Sequence, residues 1–352
     1  MSRNAFPILA TVVLTLAPLS LAQTTPAALD TATFDANGTA HLIRVVPMPN
    51  TISLEAQKWL ASLNLKKHGP QTLQERRAAT DEWRKQDSAE ARRLYPVNIQ
   101  ETTTGGIRTD IITPLETPEA NRELVLINLH GGGFNSDSGS LIEGVPISNL
   151  AKIKVVSVYY RLAPEDPFPA AVADVVAVYK ELLKTYKPQN IGIFGTSAGA
   201  ILTGEAAVRF KGLGLPLPGA LGEFSTLADF SRPSDTRQLF TLDGFPGDMN
   251  PTDPAHPPSD QYPAKTDRKD PVLSPLFADL KGMPPTLLIS STRDILLSDT
   301  STFHRALLRA GNDAQLVVFD ALPHAFWYHF QLPETQEALA IMSKFFENKL
   351  GH

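Results

Sequence analysis

Apolar positions along this chain change their period from segment to segment, and the changes mark its elements. Leu124–Leu129 (LVLINL) is a continuous apolar run, as expected of a strand buried on both faces. Val155–Tyr160 is a second, rich in β-branched residues and Tyr, and Ile191–Phe194 reads as the next strand. Ala220–Phe224, Thr286–Ser290 and Gln315–Phe319 supply the later ones. Between them the period lengthens. Val172, Val175, Val176, Tyr179, Leu182, Leu183 and Tyr186 form the inner stripe of a helix. Ala198–Phe210 reads as another, and Pro333–Leu350 closes the chain as an amphipathic helix with Pro in its tolerated first turn. From Ile107 onward strands and helices alternate, which predicts an α/β fold, a mostly parallel central sheet flanked by helices on both faces.

The remaining segments differ. Thr51 to about Leu94 is helical in pattern, with Leu54, Trp59, Leu60 and Leu63 near helical spacing and Arg76, Arg77 and Arg84 on a polar face. Residues 51–95 are expected to contribute to a helical cap, with Trp59 and Trp83 as packing residues. Residues 23–50 are Thr-, Ala- and Pro-rich and are expected to be loosely structured. Asp229 to Lys281 is rich in Pro, Asp and Ser and reads as an excursion on top of the sheet. At the start, Arg3 precedes the uncharged stretch Ala5–Ala17, and Ser20-Leu21-Ala22 ends in a small residue, as a cleavage site does. This pattern predicts a signal peptide over 1–22, a mature chain beginning at Gln23, and a secreted or periplasmic protein. The stretch is short for a membrane span and interrupted by Pro7 and Pro18, so no stable membrane insertion is expected after cleavage.

Composition narrows the classes. The 352 residues, 42% hydrophobic and 20% charged, can form one large domain with a sizeable core. A net charge of −5 argues against a nucleic-acid partner. The chain has no cysteine, which excludes disulfides, thiolate zinc sites and a Cys nucleophile.

The candidate chemistry follows from three signals. Gly195-Thr196-Ser197-Ala198-Gly199 is a G-x-S-x-G between a strand and a helix, where a sharp turn projects the Ser197 hydroxyl out of the sheet. His130-Gly131-Gly132-Gly133-Phe134 follows the apolar strand Leu124–Leu129, and a glycine loop brings backbone N–H groups close to a developing oxyanion. The amides of Gly132, Gly133 and Ala198 are the expected oxyanion hole, with His130 ordering the loop and Phe134 a wall of the substrate pocket. A phosphate loop is the competing reading, but no G-x-G-x-x-G or Lys-Ser/Thr ending accompanies the glycines. The third signal is order. Asp294 and His324 come after Ser197, each just past a strand, at the strand ends where an open α/β sheet places its site. Ser197 is read as nucleophile, His324 as base and Asp294 as the acid that orients it, in place of Asp299, a helix-start acid, or Asp320.

These motifs resemble the hormone-sensitive-lipase-like carboxylesterases, the bacterial family IV of the α/β-hydrolase superfamily, in its GTSAG subgroup. The matching residues are HGGGF at His130–Phe134, YRLAPE at Tyr160–Glu165, GTSAG at Gly195–Gly199, DPVLSPL at Asp270–Leu276, RDILLSD at Arg293–Asp299 and PHAF at Pro323–Phe326. The resemblance runs from about Thr51 to the end of the chain. It implies hydrolysis of short- to medium-chain acyl esters without metal or organic cofactor, and a cap built partly from the N-terminal segment. An amidase, deacetylase or lactonase using the same triad is the nearest alternative, and a non-catalytic binding protein on the same scaffold a more distant one. Either a monomer or a homodimer fits. Two positions depart from the family pattern: Thr196, where Asp is frequent, and Ala325, where Gly is frequent and where Ala fits if the backbone is not left-handed.

Overall fold

The computed structural model describes residues 31–63, 72–137, 139, 141–245 and 261–351. It divides into two units, Met1–Met48 and Pro49–His352. In the first, β1 (Thr31–Phe34) and β2 (Ala40–Ile43) pair antiparallel around a turn that places Gly38 at φ 88. Part of the segment expected to be loosely structured is therefore a hairpin. Its side chains are exposed along both strands. The expected signal peptide, 1–22, lies outside the described residues.

The second unit opens with α1 (Leu54–Ser62) and α2 (Leu73–Leu94). Thr72 and Glu75 form a reciprocal capping box at the start of α2, which satisfies orphan first-turn donors. Next come β3 (Val97–Thr104) and β4 (Ile107–Pro114), an antiparallel pair whose turn places Gly105 and Gly106 at positive φ. The alternating part of the chain then contributes β5 (Val125–Leu129), α3 (Gly144–Ala151), β6 (Lys154–Val158), α4 (Ala170–Leu182), β7 (Ile191–Thr196), α5 (Ala198–Gly212) and β8 (Ala220–Phe224). The short α6 (Asp235–Leu239) precedes β9 (Thr286–Ser291), α7 (Leu297–Arg309), β10 (Ala314–Phe319) and α8 (Pro333–Lys349).

One eight-stranded sheet results, in the order β3-β4-β6-β5-β7-β8-β9-β10. From β6 to β10 every neighbouring pair is parallel, while β4 pairs antiparallel with both β3 and β6. Alternate residues of the continuous apolar strands feed two cores. Val125, Ile127 and Leu129 join α4, α5 and α7 on one face, and Leu126 and Phe194 join α3 and α8 on the other. Buried on both sides, β5, β7 and β8 have no exposed position. Because β7, β8, β9 and β10 are parallel neighbours, their carboxyl ends share one edge, and the three motif-bearing loops leave the sheet there.

Candidate active site

Ser197 occupies the turn between β7 and α5 with φ 57 and ψ −119, a conformation that strains a residue bearing a side chain. The turn is held from both sides. Ser197 N–H donates to Phe224 O (3.0 Å), and Ser197 O accepts from Ile201 N–H (3.0 Å). The flanking glycines are required by space: a Cβ on Gly199 would stand 1.8 Å from Leu129 O, and one on Gly195 2.3 Å from the same atom. The elbow can therefore press against β5 only as Gly-x-Ser-x-Gly. The Thr196 hydroxyl is buried and accepts from Trp327 Nε1–H (3.0 Å), so Thr serves where the resemblance led one to look for Asp.

Asp294 follows β9, is 1% exposed, and receives four donors. His324 Nδ1 (2.9 Å) and Leu296 N–H (2.9 Å) reach Oδ1; the hydroxyls of Ser290 (2.8 Å) and Ser225 reach Oδ2. Burial alone would raise this carboxyl, but the His324 ring, the Leu296 amide and the Ser225 hydroxyl outweigh it and hold it below its ordinary value. It stays ionised and can only accept, so His324 Nδ1 carries the proton and Nε2 is left as the basic nitrogen. Asp299 and Asp320 do not share this pair. Asp299 sits in the first turn of α7 and takes Ser234 Oγ–H (2.6 Å), while Asp320 takes the hydroxyls of Thr292 (2.9 Å) and Thr51. Between Ser197 Oγ and the His324 ring no hydrogen bond is made among the described residues.

The loop after β5 is fixed through its carbonyls. His130 Nδ1–H donates to Gly131 O (2.8 Å), and Gly132 O accepts from Ser136 Oγ–H (2.8 Å) and from the amides of Ser136 (3.1 Å) and Asn135 (3.3 Å). In a trans peptide the C=O and the following N–H point opposite ways. Anchoring these two carbonyls therefore turns the N–H groups of Gly132 and Gly133 to the other side of the loop. Gly132 has φ 108, and a Cβ there would meet Ser136 O at 2.3 Å. Ala198 N–H belongs to the unpaired first turn of α5. His130 is 1% exposed, stacks on Tyr160 (4.1 Å, 8° between planes), and its backbone oxygen accepts from Tyr160 O–H (2.6 Å). Burial pushes its imidazole pKa down. It orders the loop as a neutral ring.

Phe134, expected to wall the substrate pocket, is 3% exposed and stacks on Tyr262, ring centroids 3.5 Å apart. Its surface is taken up by that stack, so it is a packing residue of the loop. Arg161, from the YRLAPE motif, is structural: its guanidinium holds Asp174 (2.8 Å) and Ala170 O (3.2 Å).

Other residues at this site carry no sequence signal of their own. Arg84, read as part of a polar face of α2, is 6% exposed. Its guanidinium lies 4.4 Å over the rings of Trp83 and of Tyr328, and its Nε is 2.9 Å from Asp137 Oδ2. Arg77 on the same helix donates to Asn135 O (2.7 Å), Ala163 O (2.9 Å) and both oxygens of Glu165 (2.7 Å each). The helix is thereby tied to the HGGGF loop and to the YRLAPE loop. Beneath them Glu143 is fully buried; its carboxylate accepts from Tyr328 O–H, Asn128 Nδ2 (3.1 Å) and Gly131 N–H (3.3 Å). Burial pushes Glu143 up to about 7 despite these donors. Ser225 is likewise new. It follows β8 at the edge that bears the other site residues, a position the strand pattern located without pointing to it.

Among the described residues, no group of three or more His, Cys, Asp or Glu side chains is placed to hold a metal, and no helix is long and apolar enough to cross a membrane.

The family profile of the α/β-hydrolase fold matches residues 126–328. An acetyl-hydrolase of Streptomyces hygroscopicus is 32% identical over 64% of this chain and 76% of its own length. An esterase of Acinetobacter venetianus is 28% identical over 72% of this chain and 84% of its own length. Among solved structures, esterase E25 superposes with a TM-score of 0.77 at 31% identity, covering 90% of this chain and all of that one. An esterase of the bacterial hormone-sensitive lipase family gives 0.72 at 28% identity, covering 85% of this chain and 99% of its own. Sequence, fold and site geometry agree: the chain belongs to the α/β-hydrolase family, among its hormone-sensitive-lipase-like members.

Proposed function

We propose that this protein is a serine carboxylesterase that hydrolyses short- to medium-chain acyl esters through Ser197, His324 and Asp294. The observation that carries the reading is the Asp294–His324 pair, with four donors on the carboxylate, at the sheet edge where the strained Ser197 elbow also lies. In the reaction, Ser197 Oγ attacks the ester carbonyl carbon as its proton passes to His324 Nε2. The carbonyl oxygen becomes an oxyanion received by the amides of Gly132, Gly133 and Ala198. Collapse breaks the C–O bond, and the leaving alcohol takes the proton from His324. Water then attacks the acyl-enzyme by the same route, releasing the acid and restoring Ser197. Asp294 remains ionised throughout and stabilises the imidazolium.

Two features support small acyl groups. The Phe134–Tyr262 stack fills space beside the oxyanion loop, and one relative is named an acetyl-hydrolase. The test is a panel of p-nitrophenyl esters of graded acyl length, with anilides and lactones alongside, for wild type and Ser197→Ala. Turnover highest from acetate to about hexanoate and lost in Ser197→Ala is expected. A folded Ser197→Ala protein that keeps its activity would overturn the assignment. Export rests on the pattern of residues 1–22, and N-terminal sequencing of secreted material should find a chain beginning near Gln23.

A further inference from the structure

We propose that Ser225 is a positioning residue of this site, its hydroxyl tying the Asp294 carboxylate to the His324 ring. The inference rests on the reading of Ser197, His324 and Asp294 as the acyl-transfer site and adds a fourth side chain to it.

Ser225 leaves the carboxyl end of β8, between β7, which carries Ser197, and β9, which carries Asp294. It is fully buried and held at φ 61, a left-handed conformation that strains a residue with a side chain. Its backbone N–H is fixed on Ile289 O at 2.7 Å. A small residue of almost any kind would fill such a corner, so the use made of the hydroxyl is informative. Ser225 Oγ bonds Asp294 Oδ2 and lies 2.8 Å from His324 Nδ1.

Proton counting leaves one arrangement. Asp294 is an acceptor on all four of its bonds, so the single hydroxyl proton of Ser225 goes to Asp294 Oδ2. Towards His324 the Ser225 oxygen can then only accept. The Nδ1–H of His324 is consequently shared between Asp294 Oδ1 at 2.9 Å and Ser225 Oγ at 2.8 Å. Two acceptors on one N–H hold the plane of the imidazole as well as its tautomer. One acceptor would leave the ring free to swing about the bond. The same hydroxyl is one of two that pin Asp294 Oδ2, the other being Ser290 (2.8 Å), so its loss loosens the acid and the base together.

The test uses the full chain with Ser225→Ala and Ser225→Gly, the glycine variant because it suits the positive φ and so folds without strain. With p-nitrophenyl acetate, kcat should fall about tenfold to a hundredfold, as when an outer partner of a metal-bound imidazole is removed, with KM within about twofold of wild type. The rate of inactivation by a serine-directed organophosphate should fall by the same factor, since it depends on the same base. The downfield Nδ1–H proton resonance of His324 should move upfield in both variants. If folded Ser225→Ala and Ser225→Gly keep kcat and the inactivation rate within about twofold, the proposal fails. It fails equally if KM rises while the inactivation rate holds, which would mark Ser225 as packing. Ser197→Ala and Asp294→Asn are measured in parallel. Turnover surviving in those two would refute the underlying assignment of the site. Their inactivity beside fully active Ser225 variants would refute only the role given to Ser225.

Discussion

At the scale of single residues, neighbouring acids of one loop and helix do different work. Asp294 is saturated by four donors and ionised, whereas burial pushes Asp299 up to about 6, its Ser234 partner offsetting part of the effect. Asn at the orienting position keeps the shape but favours the wrong tautomer, a change that costs about 10⁴ in kcat in a well-studied serine protease. Asp294→Asn is therefore expected to lose orders of magnitude in kcat while remaining folded. Asp299→Asn should keep kcat and change stability in a pH-dependent way. Because burial disfavours the charged form of Asp299 in the folded protein, the variant should gain on wild type as pH rises from 3.8 to about 6 and level off above that. Steady-state kinetics and pH-dependent melts of the two proteins check both halves, and exchanged phenotypes would reassign the acid. Thr196→Val is a second residue-scale expectation. It removes the acceptor of the Trp327 N–H beneath the elbow and should cost about 1–3 kcal/mol, read by chemical denaturation. The Ala325 expectation is corrected. Its backbone is left-handed, φ 55, so Ala is present where Gly would fit without strain. Ser197, Asp294 and His324 were legible because a turn motif and chain order single them out. Ser225 and Glu143 were not, because a lone Ser or Glu has no spacing signal.

At the scale of elements, α2 shows where periodicity misleads. A stripe of arginines on a helix normally faces water, and the pattern was read so. Here that face is engaged: Arg77 holds backbone carbonyls of the HGGGF and YRLAPE loops, and Arg84 is enclosed between Trp83, Tyr328 and Asp137. The Arg84–Asp137 contact is an ion pair without hydrogen-bond alignment, both side chains being almost wholly removed from water. Removing one partner of a buried pair leaves the other charge uncompensated, at about 3–5 kcal/mol. Arg84→Met should therefore destabilise by about that much. Arg77→Met, whose partner Glu165 is 58% exposed, should destabilise by clearly less. Equilibrium denaturation ranks the two, and the reverse order would refute this account of α2. The strands were easier. Continuous apolar runs placed β5 to β10 to within a residue or two of their observed ends, and in β5, β7, β8 and β9 burial on both faces leaves nothing else for such runs to do. The antiparallel β3–β4 pair escaped notice, since VNIQETTT and IRTDIITP are half polar, as strands near a sheet edge are.

At the scale of the molecule, several carboxyl groups are buried, a residue type that packed interiors seldom enclose unpaired. Glu143 accepts from Gly131 N–H of the HGGGF loop, and Glu205 accepts from Tyr262 O–H at 2.5 Å. Glu223, on β8, is 1% exposed, and neither of its oxygens makes a hydrogen bond of good geometry with the described residues. Burial pushes it up to about 8, the nearby Thr226 hydroxyl offsetting only part of that. The folded protein therefore keeps Glu223 protonated at neutral pH, while the unfolded chain releases the proton near pH 4.5. Below that value both states hold the proton and the group costs nothing. As pH rises from there to 8, the unfolded state is favoured progressively, at up to ~1.4 kcal/mol per pH unit. Above 8 the folded state ionises as well, and the penalty stops growing. Glu223→Gln removes the titration and leaves any packing cost constant across pH. The stability of the variant relative to wild type is thus expected to rise steadily between pH 5 and pH 8 and to level off above it. Chemical denaturation at several pH values measures that difference directly. A difference that is flat across the range would mean that Glu223 is ionised in the folded protein with a partner that compensates it, and would overturn this account of the interior.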